Sequence, residues 1–136
     1  QMINCTNILR ADPSFLSAKK IVEFSKAVLE LALNKAIEGQ NFLKGLVKTK
    51  KYSPAIDECA NFNYGGVVGS FKSALGELKD EPIYANYDAK IADDDSDICE
   101  IVLAAAHIVN PAISALNRQI SLLSYIAVPP TNKITD

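Results

Sequence analysis

The sequence holds one histidine and three cysteines, and no two cysteines are spaced C-x-x-C. That histidine, His107, lies in an Ala-rich turn with no serine or cysteine nucleophile motif around it. Acid–base and nucleophilic catalysis therefore have no evident participants, and the chain reads as a non-enzyme. The missing C-x-x-C pair excludes the usual zinc frameworks. Charge is nearly balanced, with a net −2, whereas nucleic acid requires a concentrated basic face. The densest basic run, Lys48, Lys50 and Lys51, falls at an expected helix end, where cations complement the macrodipole. No apolar run approaches the roughly 18 residues of a membrane span. The chain does not open on a signal-peptide pattern, which fits a mature secreted form or a cytosolic protein. Strand-like alternation is absent as well.

What is present is enough apolar material for one core. Of 136 residues, 49% are hydrophobic, too many for a disordered chain and enough for a single domain over 1–136. Residues 1–14 read as a short helical extension broken at Asp12-Pro13-Ser14. A long helix is expected from about Ser17 to about Lys48. Ile21, Phe24, Val28 and Leu31 recur along it at helical steps, and Val22, Leu29, Leu33 and Ile37 widen the buried face. Gly39 and Gly45 weaken its last turns by roughly 1 kcal/mol each relative to alanine.

Ser53-Pro54 starts a second helix, with serine as cap, proline in the first turn and Asp57 near the positive end of the dipole. Its core stripe is Ile56, Ala60, Val67, Phe71, Ala74 and Leu78. Gly65-Gly66 in its middle marks a close approach or a bend. Pro82 opens a third helix after Asp80-Glu81, with Tyr84, Tyr87, Ile91, Ile98, Val102 and Ala105 sharing a face. Asn110-Pro111 opens a fourth. Its residues Ile113, Leu116, Ile120, Leu123 and Ala127 step 3, 4, 3, 4, a bundle seam. Pro129-Pro130 is expected to end it, leaving 129–136 as a tail. Short turns between long helices favour an all-α, up-down-up-down four-helix bundle over 15–128.

Two clusters within this frame invite a chemical reading. Asp93, Asp94, Asp95 and Asp97 lie on one helix, where they fan around the axis instead of converging. They also lack the Gly and Glu of a calcium loop, so they read as a solvated acidic face. Cys59 and Cys99 sit on consecutive antiparallel helices, about 32 Å before and about 29 Å after the turn near residue 80. They are therefore level, a placement equally open to a disulfide and to two buried thiols. Asn4-Cys5-Thr6 fits the N-glycosylation sequon, a weak signal at Asn4.

The residues also resemble the plant pectin methylesterase inhibitor and invertase inhibitor family over nearly the whole chain. Cys5-Thr6-Asn7-Ile8-Leu9-Arg10-Ala11-Asp12-Pro13-Ser14 is similar to its C-x3-L-x2-D-P-x-S stretch. Val68-Gly69-Ser70-Phe71-Lys72-Ser73-Ala74-Leu75 resembles the core of its second bundle helix. Ala92-Asp93-Asp94 with Cys99-Glu100 resembles the third, and Asn117-Arg118, Leu123-Ser124 and Ile126-Ala127 the last. Order and spacing together make the match specific.

The resemblance implies a four-helix bundle preceded by a helical hairpin, here truncated. It also implies a disulfide between the second and third bundle helices, which Cys59 and Cys99 match. It further implies a cofactor-free secreted protein of the apoplast, cell wall or vacuole. Such a protein would be a monomer that blocks the active-site cleft of a pectin methylesterase or an acid invertase one to one. The contact residues expected on this chain are Pro82, Ile83, Tyr84, Tyr87, Asp93 and Asp94.

Three departures qualify that expectation. Only four residues precede Cys5, so the family's first cysteine and outer hairpin arm are missing: either the sequence is a fragment or the hairpin is altered, and Cys5 is left without its expected partner. The tyrosine usually four residues after the second-helix cysteine falls five after, at Tyr64, which calls for a local bulge near Gly65-Gly66. Where invertase inhibitors carry Pro-Lys-Phe, this chain has Pro82-Ile83-Tyr84. Read as plain structure, Pro82 opens a helix and Tyr84 packs in the core. The alternative functions are a non-inhibitory secreted structural or defence protein of the pollen-allergen type, or a bundle enclosing a small apolar ligand.

Overall fold

The computed structural model describes residues 18–49 and 53–135, with side chains reaching Val128 in the last helix. The N-terminal extension with Asn4 and Cys5, and the residues Lys50 to Tyr52, lie outside the described residues.

The chain folds as α1 (Ala18–Thr49), α2 (Pro54–Glu58), a π-helical turn (Cys59–Asn63), α3 (Tyr64–Glu77), α4 (Pro82–Ala105) and α5 (Pro111–Thr135). α2, the π turn and α3 run on as one rod, so the architecture is a four-helix bundle. Its rods form a ring in chain order: α1 packs on α3, α3 on α4, α4 on α5, and α5 back on α1. Up-down-up-down connectivity gives this arrangement when the turns are short.

Local chemistry starts the helices where the sequence indicates. Ser53 Oγ accepts from the Ile56 amide at 3.4 Å, and Pro54 occupies the first turn. Asn110 Oδ1 accepts from Ala112 and Ile113 amides at 3.1 and 3.2 Å. α4 ends on His107, whose φ of 57° puts it in the left-handed region. The Ile108 amide then reaches back to the Leu103 carbonyl at 2.9 Å and closes the helix end. This makes His107 a helix-end residue.

The extra residue between Cys59 and Tyr64 is absorbed by the π turn. There the Tyr64 amide bonds to the Cys59 carbonyl, five residues back. Gln40 of α1 donates to the Ala60 carbonyl at 3.0 Å, anchoring the widened turn. Of the two glycines beyond it, Gly66 is the close approach: a Cβ there would collide with the Asp95 carboxylate of α4.

Three sequence expectations are corrected. In α1 Phe24 and Leu29 are buried and Val22, Val28 and Leu33 pack against the core as expected, beside the buried Ser25, Ala32, Ala36, Gly39 and Leu43, but Leu31 and Ile37 are exposed. In α4 the buried line is Ala85, Ala89, Ala92, Ser96, Cys99 and Leu103, while Tyr84, Tyr87, Ile98 and Ala105 face solvent. α4 turns its small residues inward, with Leu103 the large side chain among them. In α1 the approach is tightest at Gly39, where even a Cβ would come within 2.6 Å of Leu116 on α5. Third, Pro129-Pro130 does not end the last helix, which continues to Thr135. Each proline removes one backbone donor and is costly inside a helix, yet the helix runs past both. Asn86 of α4 also donates to the Val128 carbonyl at 3.0 Å, tying down the turn just before them.

α5 contributes Ile113, Leu116, Ile120 and Ala127 to the core as its spacing predicts. Together with Leu29, Leu43, Tyr64, Val67 and Phe71, they fill the interior. Cys59 and Cys99 are joined by a disulfide, with Cα atoms 5.1 Å apart. Beside it, the buried Tyr64 hydroxyl donates to Asn117 Oδ1 at 2.6 Å, and Asn117 Nδ2 donates to Glu100 Oε2 at 3.0 Å. Three helices meet in that chain of bonds. Burial, and then the nearby Glu100 charge, push the Tyr64 hydroxyl pKa upward, so it remains a neutral donor.

Candidate docking face

The outward turn of α4 creates an exposed, partly apolar face. Once the alanine seam is buried, Tyr84, Tyr87, Ile91, Asp94, Ile98 and Ile101 line the opposite side of the helix at steps of 3, 4, 3, 4 and 3. Tyr84 is 54% exposed, Tyr87 62% and Ile101 65%, values at which these side chains contribute little to the core. Ile83 beside the N-terminal turn is exposed too. The expectation that Tyr84 packs in the core is thus overturned, whereas Pro82 does open the helix.

The acidic residues separate by direction, as their spacing predicts. Asp93 turns toward α5 and accepts from Ser121 Oγ at 2.5 Å. Asp95 turns the other way, over Gly66 of α3. Asp94 and Asp97 are exposed. Among the described residues no group of His, Cys, Asp or Glu converges as a metal site. Burial, and then the neighbouring acids Asp93, Asp94 and Glu100, push the Asp97 carboxyl pKa up, while the nearby Ser121 hydroxyl opposes the shift. Burial and Asp94 push Asp95 up as well.

Sequence reasoning missed the α5 side of this face. Lys90, Asp93 and Asp94 of α4 form an open groove of about 530 Å³ with Ser124, Tyr125 and Val128 of α5. Tyr125 is 78% exposed there, and Leu122 one turn earlier is also exposed. The signal was present: Leu122 and Tyr125 lie off the Ile113–Ala127 seam and have no inward role in it. The six expected contact residues therefore divide. Ile83, Tyr84, Tyr87 and Asp94 share the outer face with Pro82 at its end, and Asp93 is turned into the groove.

At the same end, Glu77 closes α3 with one carboxylate oxygen buried and without a hydrogen-bond partner among the described residues. Its neighbour across the turn is the Asp88 carboxyl of α4. A second carboxyl group so close disfavours ionisation of both and favours a proton held between them. Hydrogen bonding to Asp88, then burial, then the Asp88 and Glu81 charges lift Glu77 from 4.5 to about 7. The folded state therefore holds this proton between the unfolded value and about pH 7, where the unfolded chain has released it. The stabilisation is full below pH 4.5 and is lost as pH rises through 7. The melting temperature of the wild type is expected to fall between pH 5 and pH 8, with Glu77→Gln flattening that slope. An equal slope in both proteins would remove this assignment.

The architecture matches solved structures along most of its length. A pectin methylesterase inhibitor from Arabidopsis thaliana superposes with a TM-score of 0.75 at 19% identity, over 93% of this chain and 82% of that one. A mutant form of a pectin methylesterase inhibitor from Arabidopsis gives 0.75 at 20% identity, over 87% and 84%. The fold is that of a pectin methylesterase inhibitor. No protein-family model and no curated protein matches the sequence. In the inhibitor fold as this chain builds it, the stapled second and third rods present α4 outward.

Proposed function

We propose that this protein is a secreted inhibitor of a plant cell-wall pectin methylesterase, docking one to one over the active-site cleft through the outer face of α4. The observation that carries the reading is the exposed set Tyr84, Tyr87, Ile98 and Ile101 on a helix whose buried line, Leu103 and Asn86 apart, is made of alanine, serine and cysteine. Exposed apolar side chains gathered on one helix face, here interrupted by Asp94, are the usual mark of a protein-binding surface, and tyrosines supply large contact area at low entropy cost. The fold supports the target class, because its solved neighbours carry the name of pectin methylesterase inhibitors. The disulfide fits an oxidising compartment such as the apoplast. The exposed Ile83 offers no cation for acidic catalytic groups, so pectin methylesterase is preferred over acid invertase.

Titrating purified protein against a pectin methylesterase and an acid invertase tests this directly. Inhibition of the first enzyme alone is expected, and inhibition of neither would remove the reading in favour of a non-inhibitory secreted bundle. The double variant Tyr84→Ala, Tyr87→Ala should raise the half-inhibiting concentration by at least about thirty-fold, as loss of a buried aromatic anchor costs roughly 2 kcal/mol. Unchanged potency in that variant would place the docking surface elsewhere on the bundle.

A further inference from the structure

The regularity of the α4 row carries a second consequence. A flat or irregular partner requires only exposed apolar area, but steps of 3, 4, 3, 4 and 3 over Tyr84, Tyr87, Ile91, Asp94, Ile98 and Ile101 are the seam of a helix that packs against another helix. From the structure we infer that this seam pairs two copies of the chain, α4 against α4 in antiparallel register, forming a two-fold dimer.

The register is self-complementary. With the two-fold axis between Ala92 and Asp93, Tyr84 of one copy lies against Ile101 of the other, Tyr87 against Ile98, and Ile91 against Asp94. Each layer then joins the two alternating seam positions, as antiparallel knobs-into-holes packing requires. The interface is isologous, so every contact occurs twice. The seam spans about 25 Å of helix, at the small end of specific interfaces. Concentration-dependent pairing follows.

Charge supports a second copy as the occupant. On the flank turned toward α5, the exposed Lys90 of one copy comes opposite the exposed Asp97 of the other, twice by symmetry, and Ile83 meets Ala104. Asp94, the one charged seam position, comes beside Lys90 of the other copy. The exposed Leu122 and Tyr125 extend the apolar surface on this side. On the opposite flank the acids Asp88 and Asp95 are half-buried and turned inward, to Glu77 and over Gly66 respectively, so their like charge is largely withdrawn from the pairing.

The pairing does not depend on the proposed target enzyme; its consequence does. If α4 docks the enzyme, the dimer hides the docking face and the monomer is the inhibitory species.

Sedimentation velocity from micromolar to millimolar concentration tests the pairing, in a Cys5→Ser background so that a thiol-linked pair cannot be mistaken for it. The expected result is a reversible dimer whose midpoint shifts at least about ten-fold toward monomer in Lys90→Glu and in Asp97→Lys, since each places like charges opposite one another. Combining the two should restore the original midpoint. Far-ultraviolet circular dichroism confirms that each variant is folded. A protein that stays monomeric to millimolar concentration, or a dimer that the single charge changes leave intact, would overturn the inference. So would failure of the double variant to recover. A strictly monomeric protein that inhibits pectin methylesterase would refute the dimer and leave the proposed function standing; a charge-swappable dimer that inhibits nothing would do the reverse.

Discussion

Replacing Cys59 and Cys99 together by alanine is expected to lower stability by about 4 kcal/mol and the melting temperature by about 14 °C. The bridge joins residues 40 apart in sequence. In the chain-entropy description it removes that loop's freedom from the unfolded state. The native geometry adds a local reason. Both cysteines are fully buried, at the π turn and in the α4 alanine seam, and Asn117 Nδ2 lies 3.4 Å from Cys99 Sγ. Losing the sulfurs therefore removes packing where three helices meet, as well as the tether. Thermal melts of the double variant, and of reduced wild type, should agree within about 1 kcal/mol. A loss below that size would mean that the tertiary packing alone holds α2, α3 and α4 in register.

The second large effect is expected at Asn117. Its substitution by alanine should cost about 3 kcal/mol by chemical denaturation, more than the roughly 1 kcal/mol expected for Tyr64→Phe. Asn117 serves two partners at once. It accepts from the fully buried Tyr64 hydroxyl and donates to Glu100. Removing it leaves a buried hydroxyl and a carboxylate oxygen each short of a partner, whereas removing the Tyr64 hydroxyl leaves only one acceptor unfilled. Buried polar groups cost most when one side of a bond survives alone. The cycle should be non-additive: in Asn117→Ala the further change Tyr64→Phe is expected to be neutral or stabilising, because the orphan disappears. Simple additivity would show that the two groups do not act together.

These two expectations meet at one place, the level of Cys59, Cys99, Tyr64 and Asn117, and the sequence foretold only part of it. Counting residues from the turn near residue 80 put the cysteines level, and the family resemblance turned that placement into a bridge. The displaced tyrosine signalled a bulge, which the π turn supplies. Nothing in the spacing of Asn117 marked it as a link across the bundle, because a lone asparagine on a helix reads the same whether it meets water or a buried hydroxyl. The docking face was similarly half legible. Its residues Ile83, Tyr84, Tyr87 and Asp94 were named from the sequence, but Tyr84 also read as core, and Lys90, Ile101 and Tyr125 were missed.

By itself the sequence determined where the helices begin and that there are four rods of bundle type. Those outcomes depend on contacts within a few residues: the Ser53 and Asn110 caps, Pro54, Pro82 and Pro111 in first turns, and the 3–4 spacing of α5. Only the tertiary structure decided which side of α4 is inside. That helix carries two apolar stripes, one mostly of small residues and one of large, and hydrophobicity alone favours the large one. The choice depends on how closely the neighbouring backbones approach. Gly66 of α3 leaves no room for a Cβ under Asp95 of α4, and Gly39 of α1 none under Leu116 of α5. α4 meets its neighbours through its alanine line, and Tyr84, Tyr87, Ile98 and Ile101 are left on the outside.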